Sequence, residues 1–220
     1  MIESPRSVVV LAHDDVAHEL GPVGSWLDSR GAKVHRVSRD SSINLPDADL
    51  LIVMGSPLSV ARGHCAPAQQ QEIDVVREWV AIDRPYLGIC FGAQVLAKAL
   101  GGEVERMGQT HRSYAPLDTE VDELKGRWAL WHEDAIVAPN TSQVHSRVPH
   151  ADVAFSQGRA WGLQVHIEFT ADIVERLGER MNVPEEQWRP LADGLREDVT
   201  VRPSRVWSLL DHIWTSIAPD

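Results

Sequence analysis

Apolar residues in this chain gather into short saturated runs separated by stretches of helical spacing. Ser7-Val8-Val9-Val10-Leu11-Ala12 and Asp49-Leu50-Leu51-Ile52-Val53-Met54 are rich in β-branched residues and almost free of polar interruptions. Tyr86 to Ile89 is a shorter run of the same kind. Such runs predict strands buried on both faces of a sheet. From Ala17 to Arg30, Leu20, Val23, Trp26 and Leu27 recur at helical intervals until Gly31, and Lys33 to Val37 then alternates like a second strand. A helix is predicted from Ala68 to Ile82, and another after Cys90 that closes near Gly101-Gly102. Strand and helix in alternation predict an α/β architecture: an open, mainly parallel central sheet flanked by helices and joined by right-handed crossovers.

The pattern changes between Glu103 and Val165. Trp128 to Trp131, Ala135 to Ala138 and Ala160 to Val165 read as shorter strands of a small antiparallel extension. Beyond Glu168 the spacing is helical again, with Ile173, Leu177 and Met181 on one face and Val206, Leu209, Leu210 and Ile213 on another. Pro184 and Pro203 punctuate helices and do not lie in a flexible polar linker. The reading is a single domain over residues 1–220, with a helical C-terminal extension at about 170–220.

At 43% apolar, 220 residues suffice to bury one core. A net charge of −11 argues against a nucleic-acid groove, which needs a concentrated Lys/Arg surface. No run approaches the roughly 18 apolar residues of a membrane span, so no membrane role is expected and the cytoplasm is the expected location. The two cysteines, Cys65 and Cys90, then read as free thiols.

Cys90 carries the chemistry. In Gly88-Ile89-Cys90-Phe91-Gly92-Ala93-Gln94 a strand-like run meets a glycine-flanked cysteine and then a helix. Small neighbours allow a sharp turn that exposes one side chain, and the helix N-terminus favours negative charge there. A free thiol ionises near pH ~8.5, so such a setting with a histidine partner favours the thiolate. A cysteine in an apolar run is ordinarily a core residue; the glycines at the strand-to-helix junction separate this one from that reading. In Val165-His166-Ile167-Glu168, the histidine and carboxylate are two apart and share one side of an extended segment. Glu168 would orient His166, which exchanges protons with Cys90 in a Cys–His–acid arrangement. The loop Met54-Gly55-Ser56-Pro57 follows another predicted parallel strand. Its Gly55 and Ser56 amides, with that of Phe91, are candidates for an oxyanion hole.

Together the Cys90 elbow, the Met54–Pro57 loop and the Val165–Glu168 segment resemble the class I glutamine amidotransferases, and the resemblance runs from about residue 7 to 175. Within that family the chain is similar to stand-alone domains like the glutaminase domain of GMP synthetase. The resemblance implies a flavodoxin-like sheet and a Cys90 thioester formed from the γ-amide of glutamine, with ammonia released. It also implies that Gln94 hydrogen-bonds the substrate and that Trp131, His132 and Glu133, with Asp134, supply backbone contacts to its α-amino and α-carboxylate groups. No cofactor and no metal are expected. The expected partners are glutamine or another γ-glutamyl small molecule, and a separate synthetase subunit that accepts the ammonia.

Three positions depart from the family pattern: Ile167 for a proline, Glu133 for a glycine, and Gly55-Ser56 for a glycine pair. A carboxylate at Glu133 would repel a substrate α-carboxylate. A γ-glutamyl peptidase or γ-glutamyl-amine hydrolase is therefore an alternative, and a non-catalytic binding or regulatory module a further one. His64-Cys65 lacks a second ligand pair and reads as a loop thiol. His13 and His18, five apart, read as solvated. Of the eight tryptophans, Trp131 and Trp161 are expected near the site and the others in packing.

Overall fold

The computed structural model describes residues 3–219. In chain order the elements are β1 (Ser7–Ala12), α1 (Gly21–Ser29), β2 (Lys33–Ser38), β3 (Leu50–Val53), α2 (Pro67–Ala81), β4 (Tyr86–Ile89), α3 (Phe91–Ala99), β5 (Glu103–Pro116), β6 (Arg127–Val137), β7 (Gln143–Val148), β8 (Ala151–Gln157), β9 (Ala160–Leu163), α4 (Ala171–Arg180), α5 (Glu185–Glu197) and α6 (Arg202–Ile217). A seven-stranded sheet has the order β2-β1-β3-β4-β9-β8-β7, and β5 and β6 form a separate antiparallel pair. The predicted α/β sheet is present.

β1, β3 and β4 are central and saturated with apolar residues for that reason. Val8 to Leu11, Leu51 to Val53 and Ile89 have no accessible surface. One face of the sheet packs Trp26 and Leu27 of α1 with Val206, Leu209 and Ile213 of α6. The other packs Ile73 and Val76 of α2 with Val95 and Leu96 of α3. α6 therefore belongs to the packing of the sheet itself.

The segment between Glu103 and Val165 differs from its predicted form in two ways. β9 is part of the main sheet: it runs parallel to β4, with Tyr86 opposite Ala160 and Ile89 opposite Leu163, and antiparallel to β8. It ends at Leu163, not Val165. The two pieces predicted around Trp128 and Ala135 are one strand, β6, so His132, Glu133 and Asp134 lie within a strand and not in a turn. The partner strand β5 bulges there: Arg106 faces Asp134 and His111 faces His132, with four residues between them on β5 against one on β6. The bulge carries Arg106 and Thr110 over the carboxyl end of the parallel strands, where they line a cleft.

Candidate active site

The turn from β4 into α3 places Cys90. Its backbone, at φ 51° and ψ −106°, lies in a region that a side chain rarely adopts, at a strain of roughly 1–3 kcal/mol. The flanking glycines permit it. A β-carbon on Gly88 would stand 2.4 Å from the Gly92 carbonyl carbon, and one on Gly92 would stand 2.1 Å from the Val53 carbonyl oxygen. β4, α3 and β3 thus pack backbone against backbone, and the Cys90 amide is anchored by the Leu163 carbonyl at 2.7 Å. Phe91 turns its ring into the core, while its amide is at the first position of α3, where no intrahelical acceptor exists.

His166 follows β9 and is held by β6, its amide donating to the Ala129 carbonyl at 2.8 Å. Its Nδ1 is 2.7 Å from Glu168 Oε1, and its Nε2 is 3.2 Å from the Trp131 carbonyl. Both ring nitrogens thus face acceptors, the arrangement of an imidazolium. Burial alone would lower the His166 pKa, but the Glu168 carboxylate and Cys90, which also hydrogen-bonds the ring, raise it well above the ordinary histidine value. Phe169 stacks on the imidazole at 3.9 Å between centroids and closes its far side. Cys90 Sγ is 3.6 Å from the Trp131 carbonyl and accepts from Gln164 Nε2 at 3.4 Å. Ile167, where the family pattern has proline, is fully buried.

A cleft of about 130 Å³ opens over the pair, lined among others by Gly55, Ser56, Gln94, Trp131, His132 and Glu133. Glu168 lies behind His166, outside this lining. A β-carbon on Gly55 would be 3.4 Å from His166 Cε1 and 3.8 Å from Cys90 Cβ, so this loop sits directly on the pair. The buried Gln94 amide donates at 3.5 Å to the Asp134 carbonyl and at 3.4 Å to Gln164 Oε1. His132 is buried too. Its Nδ1 meets the Asp134 carbonyl at 2.9 Å, and burial brings its pKa down to about 4.

Several residues differ from their predicted surroundings. His13 is not solvated: it is buried at the end of β1, with Nδ1 2.6 Å from Asp40 and Nε2 2.8 Å from Ser56 Oγ. His18 is half-buried, with its Nδ1 unpartnered. Trp161 faces away from the cleft, stacking on His145 and donating to Ser216 Oγ, because its side of β9 packs against α6. Glu133 is half-exposed and forks onto Arg106, with contacts of 2.7 and 3.3 Å, so its charge is matched. Cys65 is a half-buried loop thiol whose pKa is raised by burial. Among the described residues no cluster of three His, Cys, Asp or Glu side chains is placed to hold a metal, and no helix is long and apolar enough to cross a membrane.

This constellation matches a known family: the sequence model for glutamine amidotransferase class-I aligns with residues 25–172. The chain belongs to that family. Among curated proteins it is 38% identical over 94 residues to a GMP synthase from Thermus thermophilus, an alignment covering 38% of this chain and 19% of that protein. It is 30% identical over 163 residues to a GMP synthase from Aeropyrum pernix, covering 66% of this chain and 30% of that enzyme. The matches thus span under a third of either relative. A glutamine amidotransferase from Thermotoga maritima shares the fold with a TM-score of 0.82 over 94% of this chain and 97% of that one, at 22% identity. The Methylobacillus flagellatus glutamine amidotransferase gives 0.72, at 22% identity over 97% of this chain and 94% of that one.

Within this amidotransferase the sequence pattern missed several residues around the site. Arg39 and Glu72 form a buried ion pair beneath the Gly55 loop. Arg202 reaches from α6 to the carbonyls of His166 and Ile167 at 2.8 and 3.1 Å. Burial lowers its pKa to about 10. Arg112 lines the cleft with a buried Nε that has no partner, as the expected Asp134 does with its Oδ1. His13 and Arg39 did carry one signal: each directly follows a parallel strand, at the edge where such sheets build their sites.

Proposed function

We propose that this protein hydrolyses a γ-glutamyl amide, glutamine foremost, through a thioester on Cys90. The observation that carries the reading is the doubly hydrogen-bonded His166 ring beside the Cys90 sulfur at the floor of the cleft. The sulfur attacks the γ-carbonyl carbon, and the carbonyl electron pair moves to oxygen, facing the amides of Gly55, Ser56 and Phe91. Collapse breaks the C–N bond as His166 protonates the departing nitrogen. Water then attacks the thioester while neutral His166 takes its proton, and glutamate leaves as the thiolate is restored. Glu168 keeps the imidazole in register throughout.

The cleft suits the zwitterionic head of a γ-glutamyl group. The buried, unpartnered Arg112 Nε fits a carboxylate and the unpartnered Asp134 Oδ1 an ammonium, while Arg106 neutralises Glu133. The released ammonia goes to a separate synthetase subunit. Similarity to a glutamine-hydrolysing GMP synthase subunit from Halobacterium salinarum, 33% identical over 102 residues, supports that partner. The whole chain acts as one catalytic domain in the cytoplasm.

One observation favours a second reading. Beyond Ala17, Phe169 and Leu177 the cleft adjoins a cavity of about 210 Å³ whose open surface is mostly apolar, although Asp15, Glu19, Arg176 and Arg180 also line it. Ammonia as leaving group does not use this room. A γ-glutamyl amine hydrolase would use it.

The test is glutamate release from glutamine and from a series of γ-glutamyl N-alkyl amides and peptides, with Cys90→Ala as the control. Glutamine turnover lost in Cys90→Ala supports the first reading. Turnover of N-alkyl amides alone supports the second, and equal background from both proteins removes both.

A further inference from the structure

The Gly55 loop is held from beneath by one guanidinium. Arg39 follows β2 at its carboxyl end and is 7% exposed. Its Nη1 donates to the Gly55 carbonyl at 2.8 Å and its Nη2 to the Met54 carbonyl at 3.1 Å. The opposite edge forks onto Glu72 of α2, Nε to Oε2 at 3.1 Å and Nη2 to Oε1 at 2.9 Å. The guanidinium also lies 4.7 Å from the Phe91 ring centroid. A single buried group therefore touches both segments assigned to the oxyanion hole.

The direction of these bonds matters more than their number. In a trans peptide the C=O and the following N–H point opposite ways. The Met54 carbonyl shares its peptide plane with the Gly55 amide, and the Gly55 carbonyl shares its plane with the Ser56 amide. Fixing both carbonyls on Arg39 turns both N–H groups the other way, to the side where Gly55 meets His166 and Cys90. A flip of either peptide would replace a donor by a carbonyl oxygen facing the developing oxyanion. Gly55 resists such a flip poorly by itself, because it lacks the β-carbon that restricts other residues.

We infer that Arg39, locked by Glu72, is a positioning residue for the oxyanion hole: it holds the Met54-Gly55-Ser56 peptides with their amides toward the cleft and seats Phe91 at the start of α3. The inference rests on the proposed thioester chemistry. Glu72 is the counter-charge that makes a buried guanidinium tolerable, and Tyr86, also buried beside the pair, ties the same corner through its hydroxyl to the Gly92 carbonyl at 2.8 Å. Lysine at position 39 would keep the charge but could not fork onto Glu72 and hold two carbonyls in one plane.

The experiment compares three variants of the full chain with the parent: Arg39→Lys, Arg39→Met, and Arg39→Met/Glu72→Met. The double variant guards against misfolding, since apolar replacement of a buried ion pair is often tolerated whereas removal of one partner is not. Two rates are read on each protein. Hydrolysis of the γ-glutamyl substrate needs an oxyanion hole. Alkylation of Cys90 by iodoacetamide does not, because the sulfur forms its bond to the methylene carbon as iodide leaves, with no charge developing on a carbonyl oxygen. For the folded double variant, kcat is expected to fall on the order of 10²-fold, KM to change little, and the alkylation rate with its pH profile to stay within about 2-fold. Arg39→Lys is expected to fall between the double variant and the parent in kcat. A kcat within about 3-fold of the parent, or an alkylation rate that falls in step with kcat, overturns the inference while leaving the thioester reading intact. A parent that releases no glutamate beyond the Cys90→Ala background removes that reading, and the inference with it.

Discussion

Two buried imidazoles a short distance apart are tuned in opposite directions. His166 has acceptors at both nitrogens and a carboxylate as neighbour, so it keeps its proton; His132 has one carbonyl partner and an empty Nε2, so burial expels the proton. Each makes a prediction. Glu168→Gln removes the counter-charge but preserves the shape, so kcat is expected to fall by on the order of 10²–10⁴-fold. Under the proposed mechanism His166 must stay protonated, so its raised pKa would set the alkaline limb of the pH–rate profile; that limb is expected at lower pH in the variant, which steady-state rates across pH will detect. For His132 the folded pKa of about 4 lies below the ordinary 6.5, so the unfolded chain binds the extra proton first on acidification. The contribution of His132 to stability is complete above about pH 6.5 and is lost as pH falls toward 4, by up to about 3 kcal/mol. Urea unfolding of His132→Gln is expected to depend less steeply on pH over that window. An unchanged slope would show that its proton is not linked to folding.

Glycines in this chain matter unequally, and those of the Cys90 elbow most. Ala at Gly92 would drive its β-carbon to 2.1 Å from the Val53 carbonyl, with neither strand nor helix free to yield, and a loss of at least about 3 kcal/mol is expected. Gly31, at φ 65°, has nothing within 4 Å of such an atom. Gly31→Ala is expected to cost only about 1–2 kcal/mol of backbone strain, and chemical denaturation of both variants checks the contrast. These elements also mark what a sequence can reveal. β1, β3, β4 and the Cys90 turn were legible because central burial demands saturated apolar runs and close backbone contact demands glycine. α2 was legible to within one residue at each end. β5 escaped because Val104 is its one fully buried side chain, leaving no alternation to read. β8 escaped because buried Asp152, paired with Arg147 and accepting from the Ala138 amide, interrupts an otherwise apolar run. The triad candidates Cys90, His166 and Glu168 were evident from local motifs. Arg39, Arg112 and Arg202 were not, because each acquires its meaning from a carbonyl or cleft that only the folded chain brings to it.

Across the whole molecule the cleft is lined by groups of two different characters, and the proposed reaction sets the carbonyl between them. Arg106, Thr110, Arg112 and Glu133 make the end built by β5 and β6, while Ala17, Phe169, Leu177 and Met181 make the end built by α4 and the loop after β1. On the proposed chemistry the polar end takes the charged head of the glutamyl group. Phe169 stacks on His166 and also lines the second cavity, so under the proposed mechanism a leaving group protonated by His166 would project toward that cavity. That cavity is bounded by Val16 and Ile173 and braced by the pairing of Arg176 with Glu19 across the loop. Ammonia, close to the roughly 30 Å³ that a water occupies, gains nothing from it, whereas an alkyl amine would bury apolar surface at about 25 cal/mol per Å². Val16→Trp should fill the space without touching Cys90 or the polar end. If amines are natural leaving groups, the ratio of kcat/KM for a γ-glutamyl N-butyl amide to that for glutamine falls at least about 10-fold in this variant. If that ratio is low in the parent and does not change, the cavity takes no part in catalysis and glutamine is the substrate for which the cleft is shaped.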